Sequence, residues 1–336
     1  MKSSAKIRSV SYAKYGYMFI APFFIVYLFF QLVPLIETFK LSFYGNGKAT
    51  DTFVGFENFK TLLFTNADAT RNVKVQHEYF IRDLGNTVLL WIGNFIPQII
   101  LSLFLAVLFT NLTLKIKGKF FFKVVMYLPN IITAASVAAM FLMIFSETDT
   151  APVNSTLIKL GIIDTPINFV RNKTESRVII MSAQTWMWFG NTMIMLMSAI
   201  GGISADIFEA ADIDGANAWQ VFTKITVPIL KPMVTYVLIT SMIGGLQMWD
   251  MPYLFKRGTS TSKYTETIAV FIYNRFHSST GDYSYGYSAA ASVILFFITI
   301  VMGSIRMITS QDEDEKIAKK QKKAQKQQKS NAFGGL

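Results

Sequence analysis

The 336-residue sequence contains no cysteine and only two histidines, His77 and His277. Without thiols the chain can form neither disulfides nor thiolate metal sites, and two isolated histidines do not make a histidine metal site. Charged residues make up only 16% of the chain, against about one quarter in a typical soluble domain. Together with a hydrophobic content of 52%, this scarcity of charge argues against a soluble enzyme and points to a membrane.

The apolar residues are gathered into six charge-free runs of at least 18 residues, at 15–36, 84–114, 124–146, 178–205, 232–249 and 283–305. A helix needs about 20 apolar residues to cross a hydrocarbon layer of roughly 30 Å. Buried helices of a large soluble protein are the alternative, but such helices rarely lack charge over this length six times. The sequence predicts an all-α membrane protein with six transmembrane helices, over about 15–36, 86–110, 122–145, 178–200, 232–255 and 285–308.

Basic residues are concentrated on one side of these predicted helices. The first 14 residues carry four basic residues and no acid, the link 115–123 carries four lysines, and the segment from Arg306 carries eight basic residues and four acids. With six spans these segments share one side, which the positive-inside rule assigns to the cytoplasm. The loop 256–282, with four basic residues and two acids, argues weakly against this orientation. We expect both termini to be cytoplasmic.

The chain is then divided into a cytoplasmic segment 1–14, a transmembrane domain 15–310 and a basic tail 311–336. The net charge of +11 does not indicate a nucleic-acid partner, because much of it lies in this tail. The tail is expected to be solvated or to lie near anionic lipid.

The connection 203–231, between helices four and five, is acidic although it is expected in the cytoplasm. Its pattern predicts two short helices with a turn at Gly215. The second would cover 217–226, with Pro228 ending it and Pro232 in the first turn of the next membrane helix. An apolar face on such a wedge requires a partner groove.

The residues of this connection resemble the EAA loop of ABC importer permeases. Glu209, Ala210 and Ala211 are followed after three residues by Gly215, and after nine more by Ile225 and Pro228. Asp214 before the glycine is similar to the carbohydrate-importer branch in particular, whereas Val227 stands where leucine is usual. Other segments are similar to the family along most of the chain: 17–44, 53–63, 86–91, 122–145, 246–255 and 285–296.

The resemblance implies a type I ABC importer permease fold with a cytoplasmic EAA coupling helix, in a bacterial cell membrane. Such a chain is a non-catalytic subunit of an ATP-driven sugar importer, with an oligosaccharide as the expected substrate. Its partners would be a second homologous permease, two ATP-binding cassette subunits and an extracytoplasmic solute-binding protein. The ATPase subunits would bind ATP and Mg, and this chain no cofactor. Glu209 would anchor the ATPase, the two alanines would form the close contact, and Gly215 would make the turn.

Polar and aromatic side chains in the apolar runs are candidates for a sugar pathway, because polar groups in lipid must find partners or line a cavity. Aromatic faces and amide or carboxylate acceptors suit a sugar, although interfacial tryptophans and hydrogen bonds between helices explain the same residues. The candidates lie in helices four and five: Gln184, Trp188, Asn191, Gln247, Trp249 and Asp250.

Two other functions remain open from the residues alone. An ion-coupled secondary transporter acting without an ATPase would need a coupling site in the membrane, for which Asp250 is the only candidate. A membrane scaffold would need no transport site. The segment 45–50, GNGKAT, is not a phosphate-binding loop, because the glycine and the Ser/Thr of that motif are missing from their positions.

Overall fold

The computed structural model describes residues 13–46, 51–64, 70–111, 114, 116–256, 262–277 and 284–304. Within them the secondary structure is helical, apart from one antiparallel bridge between Tyr44 and Phe53. The predicted segment 1–14 lies almost entirely outside the described residues. The tail 311–336 and the end of the sixth predicted helix, 305–308, also lie outside them.

The first membrane span is one continuous helix over Lys14–Leu41, 28 residues long. It consists of α1 (Ala13–Tyr27), a π turn (Leu28–Leu32) and α2 (Val33–Leu41). None of its most apolar 18-residue window is buried among the described residues, so this part of the span faces lipid or another protein.

The other long helices form the body of the molecule. They are α4 (Arg71–Thr110), α8 (Lys173–Gly201), α11 (Val227–Leu246) and α15 (Tyr285–Ser304). By length and composition, four helical stretches among the described residues can cross a membrane: Lys14–Leu41, Arg71–Thr110, Ala218–Phe255 and Tyr285–Ser304. Two bent pairs raise this number to six: α5 (Lys119–Tyr127) with α6 (Ala134–Ile144), and α8 with α9 (Ala205–Ile213). This count agrees with the six predicted spans.

The remaining short helices connect these spans. They are α3 (Glu57–Leu63), α7 (Pro152–Lys159), α10 (Ala218–Val221), α12 (Asp250–Lys256), α13 (Ser262–Thr265) and α14 (Ile268–Phe276).

Three spans differ most from their predicted bounds. The second begins at Arg71 instead of 86, because the charged residues before the apolar run continue the helix beyond the bilayer. The third, expected over 122–145, is bent by 94° between α5 and α6. At this bend Pro129 lies in a 3₁₀ turn and Thr133 caps α6 by accepting a hydrogen bond from the backbone N–H of Ser136. The fifth, expected over 232–255, is interrupted between α11 and α12.

Two π turns let the helix continue through a proline. Each comes directly before a Val-Pro pair, so that the N–H of Val33 donates to Leu28 O and the N–H of Val227 donates to Phe222 O. A proline ring clashes with the carbonyl four residues earlier in an α-helix, and the wider turn relieves that clash. Pro228 therefore does not end the second wedge helix as expected. The chain stays helical from Ala218 to Leu246, with Pro232 inside α11.

The core of the molecule is the contact between α4 and α8, which is held by polar side chains as well as by packing. Gln98 Nε2 donates to Thr192 Oγ1 at 2.8 Å, and Ser102 Oγ donates to Phe189 O at 2.7 Å. Buried hydrogen bonds of this kind join membrane helices because no water competes for the groups. Apolar clusters flank this contact on both sides, including Leu90 and Ile180 on one side and Leu105, Met193 and Leu196 on the other.

An asparagine pair ties α3 and α15 to the chain that leaves the first span. Asn58 is buried and donates to Ser42 O and Tyr44 O, at 2.9 and 2.7 Å, and accepts from Asn46. Asn46 Oδ1 in turn accepts the backbone N–H of Tyr287 at 3.0 Å. The first and last spans are thereby joined at one end of the bundle.

A buried ionic network lies at the same end, between α4, α8 and α13. Arg82 donates to the fully buried Asp83 at 2.7 Å and to Glu266 at 2.8 Å. Asn86 donates to the backbone of Glu266 and accepts from Arg177 at 2.6 Å. Because removal of one partner would leave buried charge uncompensated, this network fixes the end of the bundle.

Candidate functional site

Two regions contain the residues that the sequence singles out: the helix–turn–helix wedge 204–226 and a cavity between the long helices. The wedge begins at Ser204, which occupies the N-cap of α9 without a side-chain hydrogen bond. Gly215 ends α9 with φ of +73°, in the left-handed region that favours glycine. Its N–H donates to Asp212 O at 3.0 Å, and the N–H of Ala216 donates to Ala211 O at 2.9 Å. These two bonds form a Schellman motif, which explains why the turn requires glycine at this position.

The second half of the wedge starts with a capping box that was not predicted from the sequence. Asn217 accepts the N–H of Gln220 through its side chain, and the Gln220 side chain accepts the N–H of Asn217, both at 2.9 Å. An Asn followed three residues later by Gln is a recognisable signal for such a box. The wedge is therefore fixed on both sides of Gly215 and leads directly into α11 through the second π turn.

The exposed groups of the wedge differ partly from the expected contact face. Glu209 and Ala210 are exposed, but Ala211 is only 6% exposed and is covered by the chain itself, because the Schellman turn folds back over it. The most exposed apolar groups are Ile213 at 86% and Trp219 at 70%. Among the described residues the wedge carboxylates form no ion pair.

The other expected wedge residues lie around this surface. Asp214 is the exposed C-cap of α9, Ile225 is half-buried in the π turn, and Pro228 is exposed at the start of α11. Trp219 and Phe222 pack their rings at a centroid distance of 5.7 Å. The wedge thus presents an acidic surface beside apolar side chains with no partner in the described chain.

A cavity of about 490 Å³ lies between α4, α6, α8, α11 and α12. The structure places all six sequence-predicted pathway residues on its wall: Gln184, Trp188, Asn191, Gln247, Trp249 and Asp250. The volume falls in the range of roughly 300–1,000 Å³ that is typical of ligand pockets. Residues from two different spans, more than 50 positions apart, are therefore brought to one site. We call it the inner cavity.

The interruption of the fifth span forms part of this wall. α11 ends at Leu246 and α12 begins at Asp250, so Gln247, Met248 and Trp249 lie in irregular backbone. Irregular backbone inside a membrane is tolerated where it is buried in protein or lines a cavity, and broken helices often mark binding sites in transporters. The break at 247–249 supports a binding role for the cavity.

A third wall, from α4, was missed by the sequence analysis. Trp91, Asn94 and Gln98 line the inner cavity, and Trp91 Nε1 donates to Ser241 Oγ of α11 at 3.2 Å. The spacing of i, i+3 and i+7 places these residues on one helix face, a signal that the long apolar run concealed. Gly245 allows the contact, since a Cβ there would lie 2.3 Å from Trp91 Cδ1.

Among the described residues no three histidine or carboxylate side chains lie close enough together to hold a metal ion. The inner cavity contains amides, hydroxyls, aromatic rings, methionines and one carboxylate, Asp250. These groups suit the binding of a polar ligand by hydrogen bonds and stacking.

Comparisons with known proteins show which family and fold the chain matches. A profile of the family described as "Binding-protein-dependent transport system inner membrane component" matches residues 98–311. The lactose transport system permease protein LacF of Rhizobium radiobacter is 30% identical, over 88% of this chain and 94% of the relative. The arabinooligosaccharides transport system permease protein AraP of Bacillus subtilis (strain 168) is 28% identical, over 89% of this chain and 90% of the relative.

A solved structure shows the same fold. It is a crystal structure of a bacterial ABC transporter involved in the import of the acidic polysaccharide alginate, and one of its chains superposes with a TM-score of 0.75 at 24% identity. The match covers 89% of this chain and 95% of that chain. A second structure of a bacterial alginate ABC transporter is in complex with a pentasaccharide-bound periplasmic protein and has a TM-score of 0.73.

Proposed function

Because the chain belongs to the family of inner membrane components of binding-protein-dependent ABC transporters, we propose that it forms the translocation pathway of a sugar importer. It is a multi-pass permease of the cell membrane and not itself the ATPase. Its function is to conduct a neutral sugar, with an oligosaccharide as the preferred substrate. The inner cavity holds the sugar on its way through the membrane.

The observation that carries this proposal is that all six predicted pathway residues line the inner cavity. Trp188 and Trp249 offer ring faces on which the C–H face of a sugar stacks, and the amides of Gln184, Asn191 and Gln247 bind hydroxyl groups. Sugar-importing relatives support the substrate class, since LacF and AraP are named for lactose and arabinooligosaccharides. If the tryptophans served only to anchor the helices at the membrane surface, there would be no reason for them to line one cavity together with the amides.

The wedge supports the coupling of this cavity to ATP hydrolysis. It joins α8 directly to α11, and both helices line the inner cavity. In this proposal the wedge lies in the cytoplasm with both termini and docks on one of two ATP-binding cassette subunits. Glu209, Ala210, Asp214 and exposed apolar side chains form the contact, and Gly215 maintains its shape. A second permease completes the pathway, and ATP and Mg bind to the ATPase subunits.

The test is to co-express the chain with its second permease, the ATPase and the solute-binding protein, and to measure sugar uptake and copurification of the ATPase. Glu209→Lys should weaken docking by charge reversal, and Gly215→Pro should destroy the Schellman turn, while insertion into the membrane survives. Asp164→Lys serves as the matched control for docking, because Asp164 is exposed and precedes the start of α8, whereas the wedge follows the end of α8. Normal docking and uptake in both wedge variants would refute the coupling role.

Two measurements separate the rival functions from this one. Uptake by this chain alone in liposomes, driven by an ion gradient without ATP, would favour a secondary transporter with Asp250 as its coupling site. Copurification without sugar uptake by the complete assembly would favour a scaffold.

A further inference from the structure

A second cavity of about 590 Å³ lies at the end of the bundle opposite the wedge. Its walls come from the end of α2, from α14 and from the first turns of α15. Gln247 and Trp249 belong to the linings of both cavities. The two cavities are therefore neighbours that share the broken segment 247–249 as a common wall. We call this second space the outer cavity.

An aromatic stack forms one side of the outer cavity. The rings of Trp249 and Tyr253 are stacked at 4.6 Å, Tyr273 lies 5.1 Å from Trp249, and His277 is stacked on Tyr273 at 4.3 Å. Phe276 and Tyr285 add a further pair at 5.1 Å. Such rings provide flat apolar faces with polar edges, which suit ligands that have both C–H faces and hydroxyl groups.

Three hydroxyl groups of the outer cavity, those of Thr38, Ser288 and Ser292, can accept hydrogen bonds from a ligand. Thr38 donates to Pro34 O, Ser288 donates to Ile272 O, and Ser292 donates to Ser288 O, each at 2.9 Å. Because each hydroxyl has one donor and two lone pairs, their oxygens remain available only as acceptors. The donors that match them would be the hydroxyl groups of a ligand.

Trp249 contributes the complementary donor. Its Nε1 is buried and has no hydrogen-bond partner among the described residues. An unpaired buried N–H is costly, and such a group in a native structure calls for an explanation. A ligand oxygen at the boundary of the two cavities would satisfy it.

Charge restricts the ligand further. Among the described residues that line the two cavities there is no lysine or arginine, and Asp250 of the inner cavity is the only carboxylate. A ligand with many carboxylates would find no lysine or arginine to compensate them, and desolvating such charges without a partner is strongly unfavourable.

We propose that the outer cavity is a second sugar subsite: a disaccharide fits within the inner cavity, and a longer neutral oligosaccharide extends past Trp249 into the outer cavity. This inference rests on the proposed sugar importer and adds to it the outer binding site, a preference for longer chains and a discrimination against acidic sugars. Aromatic stacking holds the outer unit, and the Thr and Ser oxygens orient it.

Three alanines provide a matched test. Ala269 lines the outer cavity, Ala134 lines the inner cavity, and Ala139 is exposed and lines neither. Each is replaced with phenylalanine in the complete transporter, and initial uptake is measured for neutral arabino-oligosaccharides of two to six units and for alginate oligosaccharides of equal length. Copurification of the partner subunits reports correct folding.

Ala269→Phe should lower uptake of the longer neutral sugars roughly tenfold through loss of the outer stacking contacts, while uptake of the disaccharide changes little. Ala134→Phe should lower uptake of all lengths, and Ala139→Phe should have no effect. Alginate oligosaccharides should be taken up poorly by the unsubstituted transporter. If Ala269→Phe impairs assembly, Tyr273→Leu removes the aromatic wall without filling the cavity and should give the same dependence on length.

The outcomes separate the two proposals. If Ala269→Phe and Tyr273→Leu change uptake of all lengths equally, or leave all unchanged, the outer subsite is refuted while the importer stands; equal loss would fit a cavity filled by a lipid chain. Efficient uptake of alginate oligosaccharides would refute the preference for neutral sugars. No uptake of any sugar by the unsubstituted assembly would refute the proposed function, and the subsite with it.

Discussion

Replacing Gly190 with alanine should force apart two helices that meet at their backbones. A Cβ at this position of α8 would lie 2.1 Å from the carbonyl oxygen of Met126, and 2.9 Å from the carbonyl carbon of the same residue. Both atoms belong to the backbone of α5, so no side chain can rotate away. Trp188 and Asn191 of the inner cavity flank Gly190, so the displacement would reach the proposed sugar site.

The size of the effect follows from this geometry. To bring the new contact to 3.0 Å, below which Cβ atoms are essentially never found, the backbones must separate by about 0.9 Å. Overpacking of a well-packed interior typically costs about 1–3 kcal/mol, and a rigid backbone neighbour places this site toward the upper part of that range. We expect Gly190→Ala to destabilise the protein by this amount and to reduce uptake.

Two other glycines serve as controls. At Gly93 the new Cβ would meet the sulfur of the flexible Met181 side chain at 2.3 Å, and at Gly244 it would meet nothing within 4 Å. Thermal unfolding of the assembled transporter in lipid nanodiscs should rank Gly244→Ala as most stable, Gly93→Ala next and Gly190→Ala last. Equal unfolding temperatures for Gly190→Ala and Gly244→Ala, with normal uptake by Gly190→Ala, would contradict the close approach of α8 and α5.

Three further substitutions test other parts of the structure. Asn217→Ala removes the capping box and should cost about 1 kcal/mol locally, seen as faster hydrogen exchange over 205–226 alone. Asn58→Leu leaves the backbone carbonyls of Ser42 and Tyr44 without their donor and should lower the free energy of unfolding by about 1–3 kcal/mol. Thermal unfolding measures this loss, and proteolysis near the bridge between Tyr44 and Phe53 should be faster. Asp83→Asn should destabilise by about 1–3 kcal/mol because Arg82 loses its hydrogen bond to a buried carboxyl group. Glu57→Gln, whose ion pair is 65% exposed, should change stability by less than about 1 kcal/mol.

The spans could be predicted because hydrocarbon excludes charge, so that each charge-free run is visible in the sequence itself. The bends could not, since they depend on distant partners. The bend after Pro129 is supported by Asn130, whose amide donates to Met187 O at 3.3 Å from another span. A proline followed by a polar residue does not by itself show whether such a partner exists.

The inner cavity was predicted in part for a similar reason. The candidates on helices four and five were conspicuous because tryptophans, amides and a carboxylate interrupt apolar runs. Trp91 and Gln98 lie in a run of 31 uncharged residues, only part of which is needed to cross the membrane. Which side of this helix faces the cavity depends on the orientation of α4, which the sequence does not show. The close approach at Gly245 depends on tertiary contact alone.

In the wedge, local rules succeeded at Gly215 and failed at Pro228. A glycine between two short helices has one dominant explanation, a left-handed turn, and the structure has it there. A proline ordinarily ends a helix, but the π turn Phe222–Thr226 removes the clash on which that rule depends. The expected second wedge helix is therefore the beginning of the fifth span and not a separate element.

The π turn at Phe222–Thr226 also affects how related sequences should be aligned. A π turn accommodates one residue more than the α-helical path between the same two points, and each residue of an α-helix rotates the chain by about 100°. A relative whose helix is regular here would keep the same wedge orientation only if it had one residue fewer between the glycine and the proline. In an alignment, a single-residue gap between the glycine and the proline would then mark a relative that has a regular α-helix here and the same wedge orientation. A relative with the same number of residues but no π turn would have a wedge that is rotated about the helix axis.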